Sequence, residues 1–105
     1  MQTVIAAELV RSTELAAHIG KRIRVRGWLQ NVRRLGGISF IIVRDGWGTV
    51  QAVTEEEADL RPLTENDLQP ESVIILEGHV VASTQAPGGV ELLAPHIDVI
   101  TPVTE

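Results

Sequence analysis

Phe40, Gln51 eleven residues later, and the adjacent pair Arg33-Arg34 are the side chains whose types and spacing suggest chemistry. Phe40 is the single phenylalanine of a chain of 105 residues in which aromatics total 3%, so each aromatic is a candidate for a particular task. A phenylalanine exposed on a sheet can stack on an unpaired base, worth about 1–3 kcal/mol. A glutamine amide carries both donor and acceptor and suits a base edge. The arginines suit phosphates. Each also has a plain structural reading: Phe40 as core, Gln51 as an ordinary strand residue, Trp28 as packing over an edge. Catalytic patterns are missing. His18, His79 and His96 are far apart in the chain and none has metal-ligand spacing. Glu55-Glu56-Glu57 reads as a solvated run rather than an acid–base pair. The glycines of LGGIS and DGWGT form turns and match neither a phosphate cradle nor a dinucleotide fingerprint. With no cysteine, disulfides and thiolate metal sites are excluded.

These residues lie on strand-like runs. In residues 21–26, Arg22, Arg24 and Arg26 alternate with Ile23 and Val25, the period of a half-buried strand with a basic outer face. Gly27-Trp28 is expected to disturb that phase, as a bulge or bend. Residues 33–37 turn the chain, 38–44 and 49–54 are the next two strands, and Asp45-Gly46 is a hairpin signal between them. Ile41, Val43, Val50 and Ala52 facing inward puts Phe40, Ile42 and Gln51 outside. Residues 55–69 suggest helical turns with Pro62 and Pro70 as breakers. VIILEGHVV is a fourth strand, residues 83–89 a flexible loop, and residues 90–100 a fifth strand interrupted near Pro95. Upstream, residues 13–20 are expected to form a short helix capped by Thr13 or Ser12 and stopped at Gly20, with Leu15 and Ile19 on one face. The pattern predicts one all-β domain with short helices, a five-stranded Greek-key barrel of the OB type with a helical connection between strands three and four. Other five-stranded barrels or a sandwich are the alternatives.

The formal charge is −5, which by itself argues against a polyanionic partner. The halves differ, however. Residues 1–44 hold eight Lys/Arg against two Glu, a balance of +6, and residues 45–105 hold one Arg against twelve Asp/Glu, a balance of −11. If the basic half forms one face, it can meet phosphates while the acidic remainder faces solvent. No apolar run reaches the 18 or so residues that span a bilayer, and no signal-peptide pattern opens the chain. A cytoplasmic protein without a membrane partner is the expectation.

The stretch GWLQNVRRLGGISFIIVRDGWGTVQAV resembles the anticodon-binding domain of class II aspartyl-tRNA synthetases, which sits on an N-terminal OB barrel. The shared pattern is a G-W, a basic turn with L-G-G, an outward Phe, R-D-G-x-G-x-V-Q, and a later V-E-L matched by Val90-Glu91-Leu92. The likeness runs from ELAAHIGKRIRVRGW to TPVTE, so residues 1–20 read as an extension with a short helix and residues 101–105 as the start of a hinge. The L-G-G turn and short loops resemble the archaeal-type branch. The resemblance implies that Phe40 stacks on the middle uridine of the anticodon, that Gln51 hydrogen-bonds it, that Glu91 helps read the bases, and that Arg33 lies near bases or backbone. Arg34 and Arg26 are further candidates for backbone contact.

Two departures shape the expectation. The class II catalytic signatures are absent, so this chain alone is not expected to aminoacylate; it is a fragment or an isolated paralogue. ATP and magnesium are then expected only in a catalytic domain outside it, and the full-length enzyme as a homodimer. Secondly, Gln30 and Pro87 stand where aspartate-specific relatives of this branch carry Trp and Lys. This implies relaxed reading of both aspartate and asparagine tRNAs. A free-standing OB protein binding single strands without anticodon preference is the alternative.

Overall fold

The computed structural model describes residues 7–64 and 71–101. Six strands form one sheet: β1 (Glu8–Leu9), β2 (Arg22–Leu35), β3 (Ile38–Arg44), β4 (Thr49–Thr54), β5 (Val73–Ala82) and β6 (Val90–Thr101). Their order is β1-β2-β3-β4-β6-β5, and a further β2–β5 pairing closes the ring. This is the expected five-stranded Greek-key OB barrel. The five expected strands are β2 to β6, and the two-residue β1 pairs parallel to β2 as an addition.

The alternation of apolar and polar residues drives this arrangement, since inward positions must be dry and strands present every second side chain inward. Ile41, Val43, Ala52, Ile74, Leu76, Val80 and Leu92 are completely buried. The β4–β5 connection plugs the ring: a 3-10 turn Glu57–Leu60 runs into one α-helical turn, α1 (Arg61–Thr64), burying Leu60 and Leu63. Pro62 does not break this connection. It sits in the first turn of α1, where a missing N–H costs nothing. The helical turn expected at residues 64–68 lies almost wholly outside the described residues, as do residues 102–105 of the expected hinge.

β2 has two antiparallel partners. Its first half pairs with β5 from Arg22↔His79 to Trp28↔Val73, and its second half with β3 from Trp28↔Arg44 to Leu35↔Ile38. Where it crosses over, a Cβ on Gly27 would lie 2.5 Å from the Arg44 carbonyl oxygen and 2.8 Å from Val43 Cγ1. No side chain fits there. Contrary to expectation, Gly27 does not break the phase: Ile23, Val25, Gly27 and Leu29 all point inward. The slip comes between Leu29 and Asn31, so the bulge is at Gln30 and returns Val32 to the core side.

Other expectations are corrected by packing. The N-terminal helix is a 3-10 helix, Ser12–His18. Glu14, not Ser12 or Thr13, caps it, its Oε1 accepting the Arg11 N–H at 2.9 Å. Leu15 is buried but Ile19 is half exposed, because it falls beyond the helix, whose turn of three residues does not align i with i+4. Gly20 does stop the chain, with φ +89°. β6 continues through Pro95 as one strand; the interruption is a bulge, where Ala94 takes φ 49° and the register skips opposite Gly78.

The Asp45–Gly48 turn ties the N-terminal helix to the barrel. Asp45 Oδ1 accepts the Ser12 hydroxyl (2.7 Å) and the N–H groups of Trp47 and Gly48 (2.9 Å each), while Oδ2 accepts the Ser12 N–H at 2.7 Å. Burial alone would raise the carboxyl's pKa, but the Ser12 hydroxyl and the three N–H donors outweigh it and hold Asp45 below its ordinary value. A depressed folded pKa stabilises the protein above the ordinary carboxylate value, and that contribution is lost as pH falls through the folded value. Asp45→Asn is therefore expected to lower stability at neutral pH by about 2 kcal/mol. Its urea midpoint should also fall less than the parent's between pH 5 and pH 2. Gly27→Ala, by forcing β3 away, should cost roughly 3 kcal/mol in the same urea titration; an unchanged midpoint would show that the crossover tolerates a methyl group.

Candidate nucleic-acid interface

The outward residues of β2, β3, β4 and β6 line up in rows, because directly paired residues share a face. One row runs Arg33, Phe40, Val53, Leu93 through the pairings Arg33↔Phe40, Phe40↔Val53 and Val53↔Leu93. The next runs Asn31, Ile42, Gln51, and Glu91 joins it through the side chain: the Gln51 Nε2 donates to Glu91 Oε2 at 3.2 Å. Phe40, Ile42, Gln51, Val53 and Glu91 are each half-buried. Phe40 is thus a ring lying on a surface, neither buried nor free in water. Gln51 stands diagonally from it, a Cα separation of about 7–8 Å that long side chains bridge.

The structure therefore gathers Phe40, Gln51, Glu91 and Arg33. It does not gather the rest of the basic half. Arg22 pairs with Glu77, Arg24 Nε donates to the Ala7 carbonyl oxygen at 2.6 Å, and both lie on the β2–β5 wall. Arg34 belongs to the opposite phase from Arg33 and reaches Glu57 Oε1 at 2.7 Å. Arg26 lines a cavity of about 500 Å³ with Trp28 and Trp47. Gln30, at the bulge, is exposed beside Asn31. Pro87 opens the 3-10 turn Pro87–Gly89 between β5 and β6, and its side chain lies outside what the structure describes.

Sequence reading missed Asn31 and Leu93. The Gln30 bulge disguised the phase of Asn31. Leu93 follows an inward Leu92 in an apolar run, so only the parallel pairing with Val53 reveals it as surface, 38% exposed.

The face is electrically polarised. Arg33 stands at one edge, and among the described residues no carboxylate pairs with it. Beyond Val53 and Leu93 the opposite edge opens into a cavity of about 540 Å³ rimmed by Glu55, Glu56 and Asp59. A polyanion lying across these two rows gains by keeping its phosphates toward Arg33 and turning its bases toward β4 and β6. Glu91 at that side favours a base N–H donor over a phosphate. Among the described residues no three His, Cys, Asp or Glu side chains gather as a metal site, and no helix is long and apolar enough to cross a membrane. If the Gln51–Glu91 bond joins β4 to β6, alanine at each and at both should give a coupling of about 1 kcal/mol in urea unfolding. Additive losses would mean the two side chains do not bridge the strands.

Residues 23–100 match the family model described as the OB-fold nucleic acid binding domain of the tRNA anticodon type. The aspartate–tRNA(Asp/Asn) ligase of Methanopyrus kandleri is 40% identical over 84 residues, 78% of this chain and 20% of that protein. The asparagine–tRNA ligase of Pelotomaculum thermopropionicum is 40% identical over 96 residues, 89% of this chain and 22% of that protein. Among solved structures, asparaginyl-tRNA synthetase from Pyrococcus horikoshii, complexed with asparaginyl-adenylate, superposes with a TM-score of 0.73 at 35% identity, over 90% of this chain and 23% of that one. The chain thus spans about a fifth of the length of these relatives.

Proposed function

The chain belongs to the tRNA anticodon family of OB-fold nucleic acid binding domains, and from that premise we propose that it reads the anticodon loop of aspartate tRNA, and of asparagine tRNA as well, for an aspartate–tRNA ligase. The family and the relatives make it an anticodon-binding domain of the Asp/Asn-tRNA ligase kind. What goes further is the choice of tRNA and the role of each side chain.

The observation that carries the reading is the juxtaposition of Phe40 with the Gln51–Glu91 pair on one polarised face. Phe40 supplies the plane on which the middle base of the anticodon stacks. With its Nε2 engaged by Glu91, Gln51 keeps its carbonyl oxygen and its second N–H for the base edge, which matches the N3–H and a carbonyl of uracil. Glu91 retains a free oxygen for a neighbouring base donor, and Arg33 takes a phosphate or sugar. Gln30 and Pro87, in place of Trp and Lys, leave the last anticodon base loosely read. Aminoacylation, with ATP and magnesium, belongs to parts of the ligase outside this chain, and a cytoplasmic homodimer is the form in which we expect it to act.

Labelled anticodon stem-loops test this. Phe40→Ala should weaken binding by about 1–3 kcal/mol, and changing the middle uridine should cost the parent a similar amount and the variant little. Arg33→Ala should reduce the slope of log affinity against log salt by about 0.7. Loops with GUC and GUU anticodons should bind alike; a preference of about tenfold for GUC, some 1.4 kcal/mol, would reject relaxed reading. Equal binding to every loop sequence would favour a general single-strand protein instead.

A further inference from the structure

A third row continues the same face one step along the strands. Trp28 pairs with Arg44, and Arg44 with Thr49. All three point outward, in phase with Phe40, Ile42 and Gln51. Successive outward residues of a strand are about 7 Å apart, roughly twice the spacing of stacked bases. A nucleotide that spans the Phe40 and Gln51 rows therefore leaves the third row to a splayed, unstacked neighbour.

The third row has the chemistry of a nucleotide site that the first two rows do not use. Trp28 is 39% exposed, although a tryptophan would bury its indole if packing allowed. The Arg44 guanidinium carbon lies 5.9 Å from the centre of that ring, within the range of a cation–π contact. Its ion pair with Glu71, at 3.8 Å and well exposed on both sides, is weak enough to exchange for a phosphate. Space is available at both ends of the row. Trp28 edges the cavity of about 500 Å³, and Thr49 edges a smaller one of about 200 Å³ shared with Ser12, Thr13 and Gly88.

Resting on the anticodon reading above, we propose that the Trp28–Arg44–Thr49 row is a second subsite, holding the unpaired nucleotide next to the one stacked on Phe40. The base lies against the Trp28 indole, Arg44 turns to its phosphate, and the Thr49 hydroxyl meets its edge. Continuity with the Phe40 and Gln51 rows favours this occupant over a protein partner. The bulge at Gln30 also belongs here, since it falls between the second and third rows on β2.

The chain's composition supplies the probe. It has two Trp and no Tyr, so in a Trp47→Phe variant all intrinsic emission comes from Trp28. Stem-loop binding to this full chain should change that emission. Making the loop abasic at one neighbour of the Phe40-bound nucleotide should abolish the change, whereas an abasic site at the other neighbour should not. Arg44→Ala should weaken the intact loop and the responsive abasic loop alike, about tenfold, because an abasic nucleotide keeps its phosphate. Thr49→Val, a substitution that keeps the shape, should flatten base preference at that neighbour and leave preference at the middle base intact. Emission that is blind to every loop that binds in a Phe40-dependent way would overturn the subsite alone. An Arg44→Ala variant that binds the intact loop as tightly as the parent would do the same. Emission that shifts with protein concentration in the absence of RNA would reassign the row to contact between copies. If Phe40→Ala changes no affinity, the anticodon reading fails and the subsite with it.

Discussion

One strand must satisfy two neighbours, and the rest of the molecule follows from how it does so. β2 runs along β5, crosses over at Gly27-Trp28, and then runs along β3. Its backbone and that of β3 come so close at the crossover that even a methyl group would overlap a carbonyl oxygen. Gly78 plays a matching part on β5, where an added Cβ would lie 2.7 Å from that of Leu92. These two close approaches let five strands close into a ring with no long unpaired edge. The closed ring leaves the outer faces of β3 and β4, carrying Phe40 and Gln51, on its surface.

Closure sorts the charges too. Once β2 bends, its two halves face different ways, so its arginines are divided between walls. Those of the first half are engaged by Glu77, by a backbone carbonyl, or by the tryptophan cavity. Arg33, beyond the bulge, is left beside Phe40. The site therefore uses a local gradient, from Arg33 to the acidic rim at Glu55, Glu56 and Asp59, rather than a broadly basic surface. A net charge of −5 is compatible with binding a polyanion when the field is arranged over a few residues.

The outward placement of Phe40 and Gln51 was legible because Asp45-Gly46 marks a turn between two strands, and setting Ile41, Val43, Val50 and Ala52 inward leaves Phe40 and Gln51 outside. Alternation is a local signal and survives without knowledge of the partners. What was not legible depends on partners. The Gln30 bulge exists because β2 must re-phase after changing neighbours. The continuity of β6 through Pro95 depends on a compensating skip opposite Gly78. α-Helical spacing places Ile19 on the face of Leu15, a spacing that a 3-10 helix does not have. Pro62 looked like a breaker but occupies a first turn, where proline is tolerated. The two-residue β1 has too little sequence to announce itself.

Gln51 and Glu91 are separated by 40 residues along the chain and lie on strands whose parallel seam has only two register pairs, Ala52↔Leu92 and Val53↔Leu93. Contacts of such sequence separation carry the entropy of closing a long loop and set the pace of folding in small β proteins. The hydrogen bond that orients the Gln51 amide is thus made only when this seam zips. A chain that has formed the β2–β3–β4 meander already displays Phe40, but its glutamine is unaligned and its glutamate lies elsewhere. The Gln51–Glu91 contact consequently depends on completion of the barrel, whereas the outward placement of Phe40 needs only the pairing of neighbouring strands.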